Sequence, residues 1–344
     1  MILAIESSCD ESAVALFDPT RGIRESLVHS QLDLHREFGG VVPDLAVREH
    51  LDRFPLLLRR LREDHPLEKV ETVAVTRGPG LAGCLAVGIA AAKGCSLAWD
   101  CPLVGVNHLT AHAWSPFLPV HRAEPERFSE KLEALLPHLG LIVSGGNTLL
   151  FRLEKDRSLR ILADTRDDAA GEALDKGAKL LGLPYPGGPE IERRAKGGDP
   201  KAYDFPRAFA DPKDRAFSFS GVKTSLRYRL EKIPAEEITA LTPDLCAAYQ
   251  EAVVDALARK FSQVLQREKD ICSLGLSGGV ANNRVLQNRF QGIAQKFDRR
   301  ALLAEPGVTG DNAAMIAFAA FADPDTVSRD GIRMRFEPSL VLGG

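Results

Sequence analysis

The sequence predicts an α/β chain of two related lobes with a cleft between them. Three observations carry that prediction. Apolar, strand-like runs alternate with helix-like stretches along most of the chain. Several of these runs stop at a glycine-rich or polar turn that leads into a helix. The opening unit, an apolar run, a polar turn and a second apolar run over residues 1–17, recurs at 139–154, the mark of an internal duplication.

The elements follow in order. Met1 to Ser7 and Ala13 to Phe17 read as a hairpin whose tip, Ser8-Cys9-Asp10-Glu11-Ser12, holds hydroxyls and carboxylates. A third strand is expected over 23–30. Residues 44–63 repeat apolar side chains at three and four, which predicts a helix. A buried strand at 70–76 runs into Arg77-Gly78-Pro79-Gly80-Leu81 and then an Ala-rich helix ending near Trp99. A further strand is expected at 102–106. Residues 118–137, with Pro119, Pro125 and Pro137, read as a connection or domain edge. The second hairpin turns at Ser144-Gly145-Gly146-Asn147. Helices are expected at 168–182 and 238–267, and a strand at 272–276. That strand turns through Ser277-Gly278-Gly279 into a helix ending near 296. A strand at 299–304, a helix at 313–321 and an irregular tail complete the chain. The boundaries expected are an N-terminal lobe over 1–129, on which 312–344 packs back, and a C-terminal lobe over 130–311.

Composition narrows the function classes. Lys plus Arg number 44 and Asp plus Glu 47, a net charge of −3, so a partner held by overall positive charge is excluded and any nucleic-acid contact needs a local basic patch. No run approaches the ~18 uninterrupted apolar residues of a membrane span. The N-terminus reaches Glu6 with no basic region before it, unlike a signal peptide. Six cysteines without a C-x-x-C pair read as reduced thiols of a cytoplasmic chain and argue against a cysteine zinc site.

Three groups of residues carry chemistry. His108 and His112 stand at i, i+4, which on a helix puts both imidazoles on one face and suits a metal ion; two unrelated histidines near a helix start are the plainer reading. Leu109 occupies the place of the acid in H-E-x-x-H, so a zinc protease lacks its general base. Asp311, just before an Ala-rich helix, is either a helix cap or a third ligand, and two imidazoles with one carboxylate suit iron(II) or zinc. The turns at 8–12, 144–147 and 277–283 are candidates for phosphate or a polar substrate, because glycine lets backbone amides approach an anion. Asp10 and Glu11 on the first turn could hold a cation or repel misplaced phosphate oxygens; a solvated acidic turn is the alternative. Asp168, Glu172 and Asp175 share a helical face that Lys176 could neutralise.

Taken together, Ile5-Glu6-Ser7-Ser8-Cys9-Asp10-Glu11, Phe38-Gly39-Gly40-Val41-Val42-Pro43, Gly78-Pro79-Gly80-Leu81 and His108-x-x-x-His112 resemble the TsaD family of tRNA N6-threonylcarbamoyladenosine transferases. So do Val143-Ser144-Gly145-Gly146, the stretches 167–189 and 217–224, Gly278-Gly279-Val280, and Asp311 through Ala317. The resemblance implies the actin/Hsp70/sugar-kinase fold, duplicated RNase H-like domains around a central cleft. It implies a divalent metal on His108, His112 and Asp311, iron(II) before zinc. It places the adenylate and threonylcarbamoyl groups on Ile142, Val143, Ser144, Gly145 and Gly146, with Asp175, Gly188, Glu192 and Asn283. Asp10 and Glu11 match the acidic, catalytic hairpin near the phosphates. Four places depart from the family pattern: Asn147, where histidine is usual; Glu192, where aspartate is common; Ala281-Asn282 before Asn283, where Ser-Ala is frequent; and Val308-Thr309-Gly310 before Asp311, where a Cys-Thr type is more usual.

The implied reaction moves threonylcarbamoyl from threonylcarbamoyl-AMP to N6 of adenosine 37 in tRNAs reading codons that begin with A, and AMP leaves. ATP or another adenine nucleotide would fit the same cleft. The implied partners are tRNA, a TsaB-type paralogue and a TsaE-type ATPase, with room for a homodimer and no membrane. A small-molecule kinase and a carbamoyltransferase on the same fold are the competing readings.

Overall fold

The computed structural model describes every residue except 66, 210, 212, 306 and 344. The chain forms two compact units: Met1–Ala134 with Asp156–Leu159 and Ala304–Gly344, and Leu135–Lys155 with Arg160–Leu303. The chain returns to the first unit at Ala304, where 312 was the expected point.

The first unit is built on a five-stranded sheet. Its strands are β1 (Ile2–Glu6), β2 (Glu11–Asp18), β3 (Gly22–Ser30), β4 (Thr72–Gly78) and β5 (Leu103–Asn107). Their order is β3-β2-β1-β4-β5, antiparallel from β1 through β3 and parallel from β1 through β5. Strand periodicity divides the side chains between two faces. Leu3, Ile5, Val14, Leu16, Val73 and Val75 pack into one core with Phe54, Leu61, Ile89 and Ala92. These four come from two helices, Pro43–Asp64 and Ala82–Trp99. The second has the length and composition to cross a bilayer, but here it lies on β4 and on the 43–64 helix. On the other face Phe17 meets Phe318, ring centroids 5.9 Å apart, on the helix Ala313–Ala322.

The second unit repeats the plan. Its strands are β6 (His138–Val143), β7 (Thr148–Leu153), β8 (Leu159–Thr165), β9 (Ala216–Phe217), β10 (Ser273–Ser277) and β11 (Arg300–Leu303). The order is β11-β10-β6-β7-β8-β9. Numbered within the unit and read from β8, the strands β8-β7-β6-β10-β11 follow the order of the first sheet, again with an antiparallel hairpin in the middle and parallel strands to one side. The duplication read from two short hairpins therefore extends to whole sheets. Leu139, Leu141, Val143, Leu274 and Leu276 face a core shared with the helices Ala170–Leu180, Ala235–Arg267 and Arg284–Lys296.

Three stretches are more helical than the sequence predicts. Residues 118–137 are mainly helical, with turns of helix at Leu118–Ala123 and Phe128–Leu135; Pro119 and Pro125 sit in the first turn of a helix, where a missing N–H costs nothing, and Pro137 stands between the last helix and β6. The stretch 217–224, for which no helix was expected, is a short strand running into the helix Ser220–Leu230. A helix at Gly187–Arg194 was not expected from its two glycines.

Candidate metal centre and substrate turns

β5 runs directly into α1 (His108–Trp114). Asn107 starts the helix: its Oδ1 accepts from the amides of Leu109, at 2.9 Å, and Thr110, at 3.3 Å. The helical spacing then brings the rings of His108 and His112 to 4.7 Å, at right angles. Asp311 is not the cap of the following helix. That role falls to Asn312, whose Oδ1 accepts from the Met315 amide at 2.9 Å. The Asp311 carboxylate turns instead to the histidines, with Oδ1 3.4 Å from His108 Nε2 and 3.0 Å from His112 Nε2.

These spacings fit a metal. Ligands at about 2.1 Å from one ion, at angles of about 90–110°, lie about 3.0–3.4 Å from one another. One donor atom from each of the three residues falls within 4.8 Å of the others, the one such cluster found among the described residues. Both histidines are buried and Asp311 is partly exposed, so the centre has an open side.

Glu6, at the end of β1, was missed as a site residue. It is fully buried, and its Oε2 lies 3.1 Å from His108 Nδ1. The same oxygen accepts from the Thr76 hydroxyl, and Oε1 accepts from the Ser8 amide at 2.5 Å. A carboxylate behind a ligating imidazole fixes its tautomer and leaves the outward nitrogen free to bind. An acid closing an otherwise apolar, buried strand was the sequence signal. His112 has no counterpart to Glu6, since its Nδ1 has no hydrogen-bond partner among the described residues.

The charges are strongly coupled. Burial disfavours the His108 imidazolium, but the carboxylates of Asp311 and Glu6 outweigh it and hold His108 well above the ordinary histidine range. Burial pushes His112 the other way, below that range, with the charge on His108 adding to it. Burial would raise Asp311, yet the two histidines bring it well below the usual carboxylate range.

Asp10 and Glu11 follow in the first turn. Asp10 is largely buried. Burial, then the charges of Asp10 and Asp311, raise the Glu11 carboxyl well above its usual range. The turn at 78–81 lies against this hairpin. Leu81 donates its amide to Ser8 at 2.8 Å, and a Cβ on Gly80 would stand 2.5 Å from the Ser8 carbonyl oxygen.

The other predicted residues lie in the second unit. Ile142 and Val143 end β6, and Ser144 through Asn147 close its turn, with the Ser144 amide donating to the Asn147 carbonyl at 2.8 Å. Gly145 and Gly146 are exposed, with open space where a Cβ would sit. Gly278 packs beneath, at φ +90°, where a Cβ would stand 2.3 Å from the Val143 oxygen.

Asp175, Glu192 and Asn283 all serve helix starts. Asp175 accepts from the amides of Gly187, at 2.7 Å, and Gly188, at 3.3 Å. Glu192 accepts from Arg284 N at 3.0 Å, and Asn283 from Leu286 N at 3.0 Å. Lys176 pairs with Asp168, at 2.6 Å, and Glu172, at 2.8 Å, the neutralised face that helical spacing allowed.

Residues 22–318 match the TsaD family, described as tRNA N6-adenosine threonylcarbamoyltransferase. The chain belongs to the TsaD family. The tRNA N6-adenosine threonylcarbamoyltransferase of Fervidobacterium nodosum is 40% identical to it over 98% of this chain and 97% of its own length. That of Anaeromyxobacter dehalogenans (strain 2CP-C) is 46% identical over 92% of each. The protein is accordingly a transferase that modifies tRNA. Two solved structures show the fold. T. kodakarensis HypF is similar at a TM-score of 0.56 and 13% identity, over 93% of this chain and 47% of that one. Component A of the (R)-2-hydroxyglutaryl-CoA dehydratase of Acidaminococcus fermentans is similar at 0.51 and 12%, over 92% and 94%. With the repeated sheet order they make this an actin/Hsp70/sugar-kinase-like fold.

Proposed function

We propose that the acyl donor is threonylcarbamoyl-AMP and the acceptor is N6 of adenosine 37 in tRNAs reading codons that begin with A. The observation that carries the reading is the convergence of His108, His112 and Asp311 at metal-ligand spacing in a chain of this family. In this reading the three hold one divalent ion. Two imidazoles and one carboxylate with open positions favour iron(II), and zinc accepts the same donors. When bound, the ion supplies Lewis acidity toward a carbonyl or phosphate oxygen of the donor.

The protein's own groups bind and orient. The exposed glycines of the Ser144-Gly145-Gly146 turn offer their amides to the adenylate, flanked by Ile142 and Val143. Asp175, Gly188, Glu192 and Asn283 shape the nucleotide site through the helix starts they complete, and ATP or another adenine nucleotide would occupy it too. Asp10 and Glu11 act as the acidic side chains beside the leaving phosphate, where they steer its oxygens. The N6–carbonyl bond forms, N6 gives up one proton to solvent, the bond from that carbonyl to the phosphate oxygen breaks, and AMP departs with that bond's electron pair. Holding both reactants in place supplies much of the rate.

A net charge of −3 favours a tRNA surface completed by partners, here a TsaB-type paralogue and a TsaE-type ATPase. A homodimer is compatible with the reading. A tRNA substrate and free cysteines at all six positions support a cytoplasmic setting.

A single-turnover assay tests the reading. Purified protein with iron(II), its two partner types, threonylcarbamoyl-AMP and unmodified tRNA is expected to yield the modified nucleoside. His108→Ala and Asp311→Ala are expected to lose it. No product from the wild type under these conditions would refute the proposed donor and acceptor. Product at wild-type rate from both variants would refute the metal set.

A further inference from the structure

The C-terminal tail carries no predicted chemistry, yet it is laced along the edge of the first unit where the metal-bearing helix begins. Ser328 and Gly105 of β5 exchange amide–carbonyl bonds at 2.8 and 2.9 Å. Lys93 Nζ donates to the Met334 carbonyl at 2.9 Å. Glu337 donates its amide to the Arg77 carbonyl at 2.9 Å and pairs its carboxylate with the Arg77 guanidinium at 2.7 Å. The approach is so close that a Cβ on Gly78 would stand 1.9 Å from the Glu337 oxygen. Gly80 donates to Pro338 at 3.2 Å, on the same turn that rests on Ser8. Last, Asn107 Nδ2 donates to the Val341 carbonyl at 2.7 Å.

This final bond matters because of what else Asn107 does. Its Oδ1 caps α1 by accepting from Leu109 and Thr110. A carboxamide has a fixed donor end and a fixed acceptor end, so a carbonyl that holds the donor end also orients the acceptor end. We infer that residues 336–341 form a positioning strap for the metal centre. The Val341 carbonyl fixes the Asn107 amide, the amide fixes the start of α1, and α1 fixes His108 and His112. The inference rests on those histidines with Asp311 being the ligands. Asn107 and the strap touch no ligand atom, and they act through the helix.

The test separates the strap from the cap. Asn107→Asp keeps an oxygen for both helix amides but sets a carboxylate against the Val341 carbonyl. A chain ending at Leu340 removes that carbonyl and leaves Asn107 intact. Val341→Ala keeps the carbonyl and serves as the control. Cobalt(II) is titrated into metal-free protein and followed by its visible absorption, and hydrogen exchange is read at the amides of 110–114 without metal.

The shortened chain and Asn107→Asp are each expected to bind cobalt(II) about tenfold more weakly, the scale of a lost outer-sphere partner, and to exchange faster at 110–114. Combined, they are expected to be no worse than either alone. Val341→Ala is expected to match the wild type. Wild-type affinity and exchange in either altered protein would overturn the inference, as would effects that multiply. A wild type that takes up no cobalt(II) would count against the ligand set instead, and the exchange readings would still decide whether the strap holds the helix.

Discussion

Replacing Glu6 by Gln tests whether the centre depends on a group that touches no metal. The swap keeps the volume and removes one acceptor oxygen. The wild-type carboxylate only accepts, from the Ser8 amide, the Thr76 hydroxyl and His108 Nδ1. A glutamine has two arrangements. With its oxygen toward Ser8, its NH2 faces Thr76 and His108 Nδ1. The threonine hydroxyl can rotate to accept, but His108 must also become an acceptor at Nδ1, which moves its proton to Nε2. That nitrogen faces Asp311 at 3.4 Å and would be blocked as a ligand. With the amide reversed, NH2 meets the Ser8 N–H, two donors where 2.5 Å now separates donor from acceptor.

Either arrangement leaves one buried polar group badly served, at about 1–3 kcal/mol. At 1.4 kcal/mol per factor of ten, that is roughly 5- to 150-fold in metal affinity. The cobalt(II) titration of metal-free protein measures it, with His112→Ala as the reference for losing a true ligand. Glu6→Gln is expected to bind, more weakly than the wild type and more tightly than His112→Ala. Affinity within threefold of the wild type would refute the claim that Glu6 holds the His108 tautomer.

Three further outcomes are expected in the second unit. Gly278→Ala places a Cβ 2.3 Å from the Val143 oxygen at φ +90°, at a cost of about 1–3 kcal/mol; thermal unfolding should begin lower by about 2–4 °C per kcal/mol. Gly145→Ala meets no atom within 4 Å, so it should melt as the wild type does while turnover falls, and unchanged turnover would remove the turn from the substrate site. His138 gives a pH effect. Ser273 spends its one hydroxyl proton on the Leu135 carbonyl at 2.7 Å, so His138 Nδ1 donates to Ser273 at 2.7 Å. Burial holds His138 down at about 3, whereas the unfolded chain binds that proton near 6.5. The contribution is therefore whole above about pH 6.5 and falls by about 1.4 kcal/mol per pH unit on acidification toward 3. Urea unfolding of wild type and His138→Gln between pH 7 and 5 should diverge by that slope, and parallel curves would refute it.

The strands and long helices were legible because each carries one clean period. Glu11–Asp18 and Thr148–Leu153 are bounded by turn residues, and the helix at 43–64 repeats at three and four. The short helices were not legible for the opposite reason. Gly187–Arg194 begins with Gly-Gly-Pro, and its existence depends on Asp175, a side chain of another helix, accepting its first amides. A tertiary cap leaves no mark in the local sequence. The metal set divides in the same way. The pair His108 and His112 lies within one turn of helix, but Asp311 reaches His112 across a sequence separation of 199, and only the packing of the Ala313–Ala322 helix on β1, β2 and α1 brings it there.

The two ligand-bearing stretches solve one local problem in the same manner. In each, a ligand stands where a helix starts, His108 in one and Asp311 in the other, and a helix start demands an acceptor for its free amides. A ligand that also served as that acceptor would have its lone pairs turned toward the backbone and away from an ion. At both places the demand is met by an adjacent asparagine: Asn107 before His108 and Asn312 after Asp311. A carboxamide caps without adding charge, so neither cap competes electrostatically with the ligands for a cation. This is why Asp311, which has the chemistry of a good cap, is left to face the histidines. It is also why the sequence admits both readings of it, since a ligand beside a cap and a cap beside a bystander have the same residues in the same order.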